Sequence, residues 1–359
     1  MYVSLYPRGQ KILWYNRTIM KTRFLAVLIV AACTGLTTSR MAAQGPGAGS
    51  PPLPPTPKDV QPGSITCEDV PYPQPVSYLP LTMYGQDVRI AYMDVPPSGQ
   101  PNGRTVVLLH GNNFAGFYWG GPIDVLRKEG FRVVVPDQVG YGRSSKPIIP
   151  YNFNDMALNT RRILDHLKIT KAVIVGHSMG GMLATRFSTQ YPDMTERLVL
   201  YNPIGLVDGR YARPWSSTDE AYKQTLASTY QTNYTAISRY FSHSPTAWKP
   251  EFDRYVRIRY AWTLSGDWPR YAMVQTLLTQ VQYADPVVYD WSHIKAPTLA
   301  MGGSEDSLTP DFPERMKVLV NTIPDGKGRL HLIPGLGHVP HMEAPEKFYP
   351  PLLAFLKES

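Results

Sequence analysis

The feature that most constrains the fold is a serine placed between an apolar run and a helix-competent run. Residues 172–184 read AVIVGHSMGGMLA, with the G-x-S-x-G pattern GHSMG centred on Ser178. A short continuous apolar run predicts a buried strand, and the glycines on either side permit a sharp turn and close strand–helix packing. A strand, a tight turn and a helix in this order present the serine hydroxyl at the edge of a sheet, as in a nucleophile elbow.

The remaining apolar runs predict a mostly parallel α/β sheet. Residues 76–95 alternate like an antiparallel hairpin, and amphipathic helical patterns such as 152–169 separate most of the later runs. Buried strands that alternate with such helices predict a sheet with helices on both faces. The six predicted buried strands lie at 104–110, 131–137, 172–178, 196–202, 296–303 and 329–335.

One interval interrupts the alternation of strands and helices. Residues 205–290 contain no buried-strand pattern and are rich in Tyr and Trp, which predicts a helical insertion. Ligands of open α/β sheets bind beyond the carboxyl ends of the strands, so an insertion that leaves from such an end would cover the site. The expected layout is an export leader at 1–43, a Pro/Gly-rich tether at 44–75, core segments at 76–204 and 291–359, and a helical cap at 205–290.

The positive charge is concentrated at the start of the chain. The 359 residues carry a formal net charge of +8, yet seven cations and no acidic residue precede Asp59. The rest of the chain is close to neutral, which argues against a nucleic-acid partner.

The first residues have the composition of an export signal. Lys21 and Arg23 precede the apolar run FLAVLIVAACTGL, which is too short to span a bilayer comfortably. Cleavage near Ala43 and lipidation at Cys33, in the lipoprotein-box-like VAAC, are competing predictions, and an uncleaved membrane anchor is the third. We expect a periplasmic or secreted protein that meets a membrane only through a lipid at Cys33.

A serine nucleophile needs a base and an orienting carboxylate. His338, between glycine-rich turns directly after the last predicted strand, is the candidate base, and His341 is the second candidate. Asp306 follows the strand at 296–303 and is preferred to Glu305, whose side chain should point elsewhere on the turn. The chain order of serine, aspartate and histidine is the one expected for this kind of sheet.

The oxyanion of an acyl-transfer reaction needs two N–H donors. The backbone N–H of Met179 is the first, and the N–H of Asn112 in the loop HGNNF is the second, with Asn113 as the alternative. The aromatic residues of the insertion either wall a pocket or form its own core. The expected pocket residues are Asn113, Phe114, Trp119 and Trp262.

Six motifs together resemble the α/β-hydrolase fold in its capped, esterase-like and C–C-hydrolase-like branch. The resemblance extends over about 78–358 and implies a cap after the sixth strand, no metal, no organic cofactor and a structural role for Asp137. The serine at 178 differs from the elbow aspartate of haloalkane dehalogenases and epoxide hydrolases, and HGNNF differs from the HGGPG of proline iminopeptidases. The motifs are HGNNF, PDQVGYGRSSKP, GHSMGG, NPIGL, GGSED and GLGHVPHMEAPEKF.

Three functions follow from these observations. The first is hydrolysis of small apolar carboxylic esters or lactones through an acyl-enzyme. The second is C–C bond cleavage in vinylogous diketones, which calls for a cation to bind a substrate carboxylate. The third is a non-enzymatic protein that binds an apolar ligand. The candidate cations for the second function are Arg186, Arg210, Arg213, Arg254, Arg257 and Arg259.

Overall fold

The computed structural model describes residues 53–241 and 248–358. Eight strands in this part of the chain form one sheet, in the order β1-β2-β4-β3-β5-β6-β7-β8. The strands are β1 (Ser77–Met83), β2 (Gln86–Val95), β3 (Thr105–Leu109), β4 (Arg132–Pro136), β5 (Ala172–His177), β6 (Thr195–Tyr201), β7 (Thr298–Gly303) and β8 (Gly328–Ile333).

The sheet is parallel apart from one edge. β1 and β2 form the predicted antiparallel hairpin, and β2 pairs antiparallel with β4. All other pairings are parallel. Every residue of β3, β5 and β7 is buried, as expected of parallel strands covered on both faces. The predicted fold class is therefore confirmed.

Eleven α-helices lie in the described residues and connect these strands. The helices are α1 (Gly120–Lys128), α2 (Phe153–His166), α3 (Met179–Gln190), α4 (Gly209–Ala212), α5 (Thr218–Leu226), α6 (Tyr230–Ser238), α7 (Asp253–Thr263), α8 (Trp268–Ala284), α9 (Phe312–Thr322), α10 (Pro340–Glu343) and α11 (Pro345–Lys357).

The limits of α2 show how local sequence sets a helix. The side chain of Asn152 accepts a hydrogen bond from the N–H of Asp155 at 2.8 Å, so it satisfies a donor left free at the helix start. Phe153, Met156 and Ile163 share the buried face. The helix ends before Lys168, whose φ of 56° is incompatible with a right-handed helix.

Helices α4 to α8 lie between β6 and β7, within the predicted insertion. We call residues 209–284 the helical insert. Its aromatic residues pack mainly on one another: Trp262 meets Tyr271 edge to face with ring centres 5.4 Å apart, and Phe241 stacks on Phe252 at 4.4 Å. The boundaries of the five-part domain layout remain predictions.

The segment before β1 differs from the expected tether. Residues 53–76 contain no helix or strand, but Ile65, Cys67 and Val70 are buried in the main hydrophobic core. The guanidinium of Arg143 donates to the carbonyl oxygens of Cys67 and Val70 at 3.2 and 2.9 Å. This stretch is attached to the body because apolar side chains lie between its prolines and glycines. Burial also raises the pKa of the Cys67 thiol to about 12.

The predicted leader, the start of the tether and Cys33 lie outside the described residues. In the described ranges, none of the helices combines the length and apolar character needed to cross a membrane.

Candidate active site

Ser178 lies in the turn that joins β5 to α3. Its φ of 59° and ψ of −123° fall outside the regions that side chains favour, a strain of about 1–3 kcal/mol. The turn is possible because its neighbours are glycines: a Cβ on Gly176 would collide with the carbonyl oxygen of Gly180, and a Cβ on Gly180 would collide with that of Leu109. The local geometry is that of the predicted elbow.

Asp306 and His338 form a buried pair at the carboxyl ends of β7 and β8. Nδ1 of His338 lies 2.6 Å from Oδ2 of Asp306. Burial raises the pKa of Asp306, but the charge and hydrogen bond of His338, with further donors, bring it below its usual value. The carboxylate is therefore ionised and accepts the hydrogen bond, so Nδ1 of His338 carries the proton.

Asn202, which follows β6, fixes this carboxylate. Its Nδ2 donates to Oδ2 of Asp306 at 2.7 Å and to the carbonyl oxygen of Gly337 at 3.3 Å, while its Oδ1 accepts from the N–H of Gly303 at 3.1 Å. One fully buried side chain thus joins the loops after β6, β7 and β8. Sequence reasoning gave Asn202 no role, although it is polar and directly follows a strand, as Ser178 does.

Ser178 and His338 are both buried, and the structure places no hydrogen bond between them. Nε2 of His338 is buried and has no hydrogen-bond partner in the described ranges. In the neutral form of an imidazole whose proton is on Nδ1, Nε2 has a free lone pair. It can accept a proton from a hydroxyl, and in unliganded sites such contacts are often longer than in the substrate complex.

One predicted oxyanion donor, Met179, directly follows Ser178, and the other, Asn112, lines the same cavity as Ser178. Neither the N–H of Met179 nor that of Asn112 has an acceptor within the described part of the chain. The Asn112 side chain is held by the hydroxyl of Tyr141, which donates to its Oδ1 at 2.6 Å, and by a 3.5 Å contact from its Nδ2 to Oγ1 of Thr279 in the helical insert. The assignment of Met179 and Asn112 as oxyanion donors stays a prediction.

His177, the variable residue of the elbow motif, joins two functional loops. The hydroxyl of Tyr118 accepts from the N–H of Gly111 at 3.4 Å and donates to Nδ1 of His177 at 2.9 Å. Nε2 of His177 then donates to the carbonyl oxygen of His338 at 2.9 Å. Burial, together with the nearby His338 and His341, holds the pKa of His177 well below its usual value. A neutral ring is what this chain of hydrogen bonds requires.

His341, the second candidate base, does not line the cavity that Ser178 lines. Its Nδ1 accepts from the hydroxyl of Tyr201 at 2.7 Å, and its ring stacks on Trp119 at 5.4 Å. Burial lowers the pKa of His341 to about 3. A histidine enclosed in this way packs the core, so His338 is the base that the geometry favours.

A structural role was expected for Asp137, and His110 has one as well. Nδ1 of His110 lies 2.9 Å from the Gly111 carbonyl oxygen and its Nε2 accepts from the N–H of Gln138, so both ring nitrogens are engaged. Asp137 accepts from the N–H groups of Gly116 and Arg143, at 2.6 and 2.8 Å. Both residues therefore brace loops.

A cavity of about 400 Å³ opens above the serine. Ser178, Asn112 and Asn113 line it from the sheet side, and Tyr240 lines it from the helical insert. The amide of Asn113 is hydrogen-bonded to the hydroxyl of Tyr240. Apolar side chains, including Ile204 and Leu308, complete much of the wall.

Three of the four expected pocket residues do not line this cavity. Phe114 is enclosed by Tyr118, which it stacks against at 4.6 Å, and by the rings of the insert. Trp119 is packed against His341, and Trp262 faces a separate surface pocket beside residues 59–61. The pocket assignment is corrected to Asn113 alone, because these aromatic side chains serve core packing.

Several of the candidate arginines are already paired with acidic residues. Arg186 binds Asp285 and Asp290 at 3.0 and 2.7 Å, and Arg210 binds Asp208 at 2.7 Å. Arg257 forms an ion pair with Asp59 as well. In residues 53–241 and 248–358, no three His, Cys, Asp or Glu side chains are grouped so as to hold a metal.

The fold and the turn at Ser178 define an α/β protein with an elbow-type serine site. The model of the alpha/beta hydrolase family matches residues 106–350, and this chain belongs to that family.

Two solved structures are similar over most of their length. A probable hydrolytic enzyme from Pseudomonas aeruginosa PAO1 is 35% identical with a TM-score of 0.79, and the match covers 83% of this chain and 99% of that one. A thermophilic esterase from Thermogutta terrifontis is 25% identical with a TM-score of 0.61, covering 78% of this chain and 98% of that one.

The similarity to some curated relatives is more local. An uncharacterized protein from Mycobacterium tuberculosis is 34% identical over 105 residues, which cover 29% of this chain and 30% of that protein. The match therefore spans less than a third of the relative's length.

Proposed function

We propose that this chain is an exported serine hydrolase that cleaves carboxylic esters or lactones through an acyl-enzyme. The observation that supports this most is the state of His338. Its Nδ1 is bonded to an ionised Asp306, while its buried Nε2 has no described partner. Ser178 lines the nearby cavity, and Tyr240, another residue of the cavity wall, packs against the ring of His338 with ring centres 4.9 Å apart.

In the proposed mechanism, Oγ of Ser178 attacks the ester carbonyl carbon and Nε2 of His338 takes the hydroxyl proton. The N–H groups of Met179 and Asn112 bind the oxyanion of the tetrahedral intermediate. Asp306 stabilises the imidazolium, which returns the proton to the leaving alcohol. Water then repeats the sequence on the acyl-enzyme and releases the acid, leaving the serine free.

Family membership supports a hydrolase, and the similar thermophilic esterase supports the ester class in particular. The apolar part of the cavity wall suits an apolar acyl or alcohol group. Export rests on the leader alone, with Lys21 and Arg23 ahead of its short apolar run and with competing processing sites at Ala43 and Cys33.

The test is hydrolysis of 4-nitrophenyl esters from acetate to palmitate by residues from about 57 onward. An aromatic lactone and a vinylogous diketone are measured in parallel. Ester turnover that Ser178→Ala abolishes, together with a serine-bound acyl group seen by mass spectrometry of the trypsin digest, is the expected result.

The control is Ser188→Ala, since Ser188 is a buried serine of α3 whose hydroxyl donates to the carbonyl oxygen of Thr185 at 2.8 Å. It should retain ester turnover. Turnover of the diketone alone would replace the proposal with C–C bond hydrolysis. A folded protein that no activated ester acylates would refute the serine mechanism and favour a binding protein.

A further inference from the structure

The cavity at Ser178 has an asymmetric distribution of charge. Two cationic side chains line it, Arg213 from the end of α4 and Arg239 from the end of α6. None of the described residues that line it is acidic. The other polar side chains of the wall are neutral, among them Asn112 and Gln282.

Among residues 53–241 and 248–358, no acidic side chain pairs with either arginine, in contrast to Arg210, which Asp208 holds. The guanidinium carbon of Arg213 lies 5.6 Å from the centre of the Tyr283 ring, which carries no charge to neutralise it. Residues 1–52 and 242–247 contain no aspartate or glutamate, so they supply no acidic side chain either.

We infer that the substrate of this site carries an anionic group, of the carboxylate type, on an apolar body. This inference rests on the proposed ester hydrolysis and names its substrate class. Two unpaired cations at one cavity create a positive potential that attracts anions. The planar guanidinium fork matches a carboxylate, which it binds with two parallel hydrogen bonds.

The position of the arginines fits recognition of a remote group. Both come from the helical insert, whereas the proposed catalytic residues come from loops at the ends of the strands. Ala212, Ala236 and Leu206 line the same cavity and offer an apolar surface to the chain that joins the ester to its anionic end. Both arginines are exposed on the solvent side, so their contacts are sensitive to salt.

The experiment compares two esters that differ only in charge, 4-nitrophenyl hydrogen suberate and 4-nitrophenyl methyl suberate. The measured quantity is the ratio of their kcat/KM values, the charged ester over the masked one. A second pair, the butyrate esters of 4-hydroxybenzoate and of its methyl ester, places the charge on the alcohol. We expect a ratio above one in at least one pair, and a ratio that falls as NaCl is raised to 0.5 M.

Arg213→Gln and Arg239→Gln should each lower that ratio about fivefold, and the double variant more, because an exposed charge contact contributes up to this order of affinity. Arg239→Lys should retain part of the preference. The control is Arg161→Gln on α2, which removes one charge at a residue that does not line the cavity and should leave the ratio and its salt dependence unchanged. A wild-type ratio of one or less in both pairs, or an unchanged ratio in the double variant, would overturn the inference.

Failure of ester hydrolysis itself would be seen separately, as absence of turnover of all four esters. Binding of suberate to the Ser178→Ala protein, measured by calorimetry, then decides the matter. If suberate binds and the two substitutions Arg213→Gln and Arg239→Gln weaken that binding, the anion site is supported even though ester hydrolysis is not. Absence of binding, or binding that ignores both substitutions, contradicts it.

Discussion

Replacing Asn202 with alanine tests how far the catalytic pair depends on one buried amide. The substitution removes the three hydrogen bonds to Asp306, Gly337 and Gly303. A buried bond to a charged group contributes about 1.5–3 kcal/mol and a neutral one about 1 kcal/mol, so the protein should lose about 4 kcal/mol of unfolding free energy. Urea unfolding followed by tryptophan fluorescence measures this loss.

The same substitution should alter the chemistry. Without the Asn202 donor the pKa of Asp306 rises, and the carboxylate no longer fixes His338 in one orientation. We expect kcat/KM for a 4-nitrophenyl ester to fall about tenfold, equivalent to about 1.4 kcal/mol of transition-state stabilisation. The acidic limb of its pH profile should move to higher pH, because Asp306 is then protonated at a higher pH than before.

The matched control is Asn233→Ala in the helical insert. Asn233 is also buried, donates to the carbonyl oxygen of Thr229 at 2.9 Å and accepts from Nε of Arg259 at 3.0 Å, but it touches neither Asp306 nor His338. It should lose stability comparably and keep its pH profile. An Asn202→Ala enzyme whose pH profile matches that of Asn233→Ala would refute the positioning role.

Three other predictions concern stability and are checked by urea unfolding. Ser178→Gly should raise the free energy of unfolding by about 1 kcal/mol, because relief of the strained φ outweighs the flexibility of glycine. Ser178→Ala keeps the strain, so equal stabilities of the two variants would contradict this prediction. Gly176→Ala should lower the free energy of unfolding by more than about 3 kcal/mol or prevent folding, because its Cβ meets the Gly180 carbonyl. Its control is Gly266→Ala, where a Cβ meets nothing within 4 Å and the change should be less than about 1 kcal/mol. Below pH 6.5 His341 is protonated in the unfolded chain, but in the folded protein it is not protonated until about pH 3. Each unit by which the pH falls in this window therefore lowers the free energy of unfolding by about 1.4 kcal/mol. His341→Phe should reduce the loss of stability between pH 7 and pH 5, and parallel curves for the two proteins would show that His341 is not responsible.

The sheet was predictable because its strands carry an unambiguous signal. Runs such as VVLL and AVIV are continuous and bounded by glycine, proline or polar residues, and only a strand covered on both faces buries every side chain of so short a run. Individual helices of the insert were not predicted. In α8 the buried residues fall on several sides, since the helix packs between other elements and does not show one apolar stripe.

The site was predictable where chemistry and position coincide. Ser178, Asp306 and His338 each follow a predicted strand and carry a reactive side chain, so topology places them at one edge of the sheet. Phe114, Trp119 and Trp262 were placed less well, because an aromatic residue gives the same pattern in a core as in a pocket wall. The prolines of residues 53–75 favoured an extended tether. The apolar residues Ile65, Cys67 and Val70, which the structure buries in the core, form too short a pattern in the sequence to indicate packing.

The contact between Tyr240 and His338 bears on how this protein can be altered. The N–H of His338 donates to the carbonyl oxygen of Tyr240 at 2.6 Å, and the two rings meet nearly edge to face at 4.9 Å. An insert that only covered a pocket could be exchanged for that of a relative to change substrate range. Here the backbone of the proposed base is anchored to the insert, so a transplanted insert must reproduce one carbonyl and one ring, or selectivity will change together with turnover.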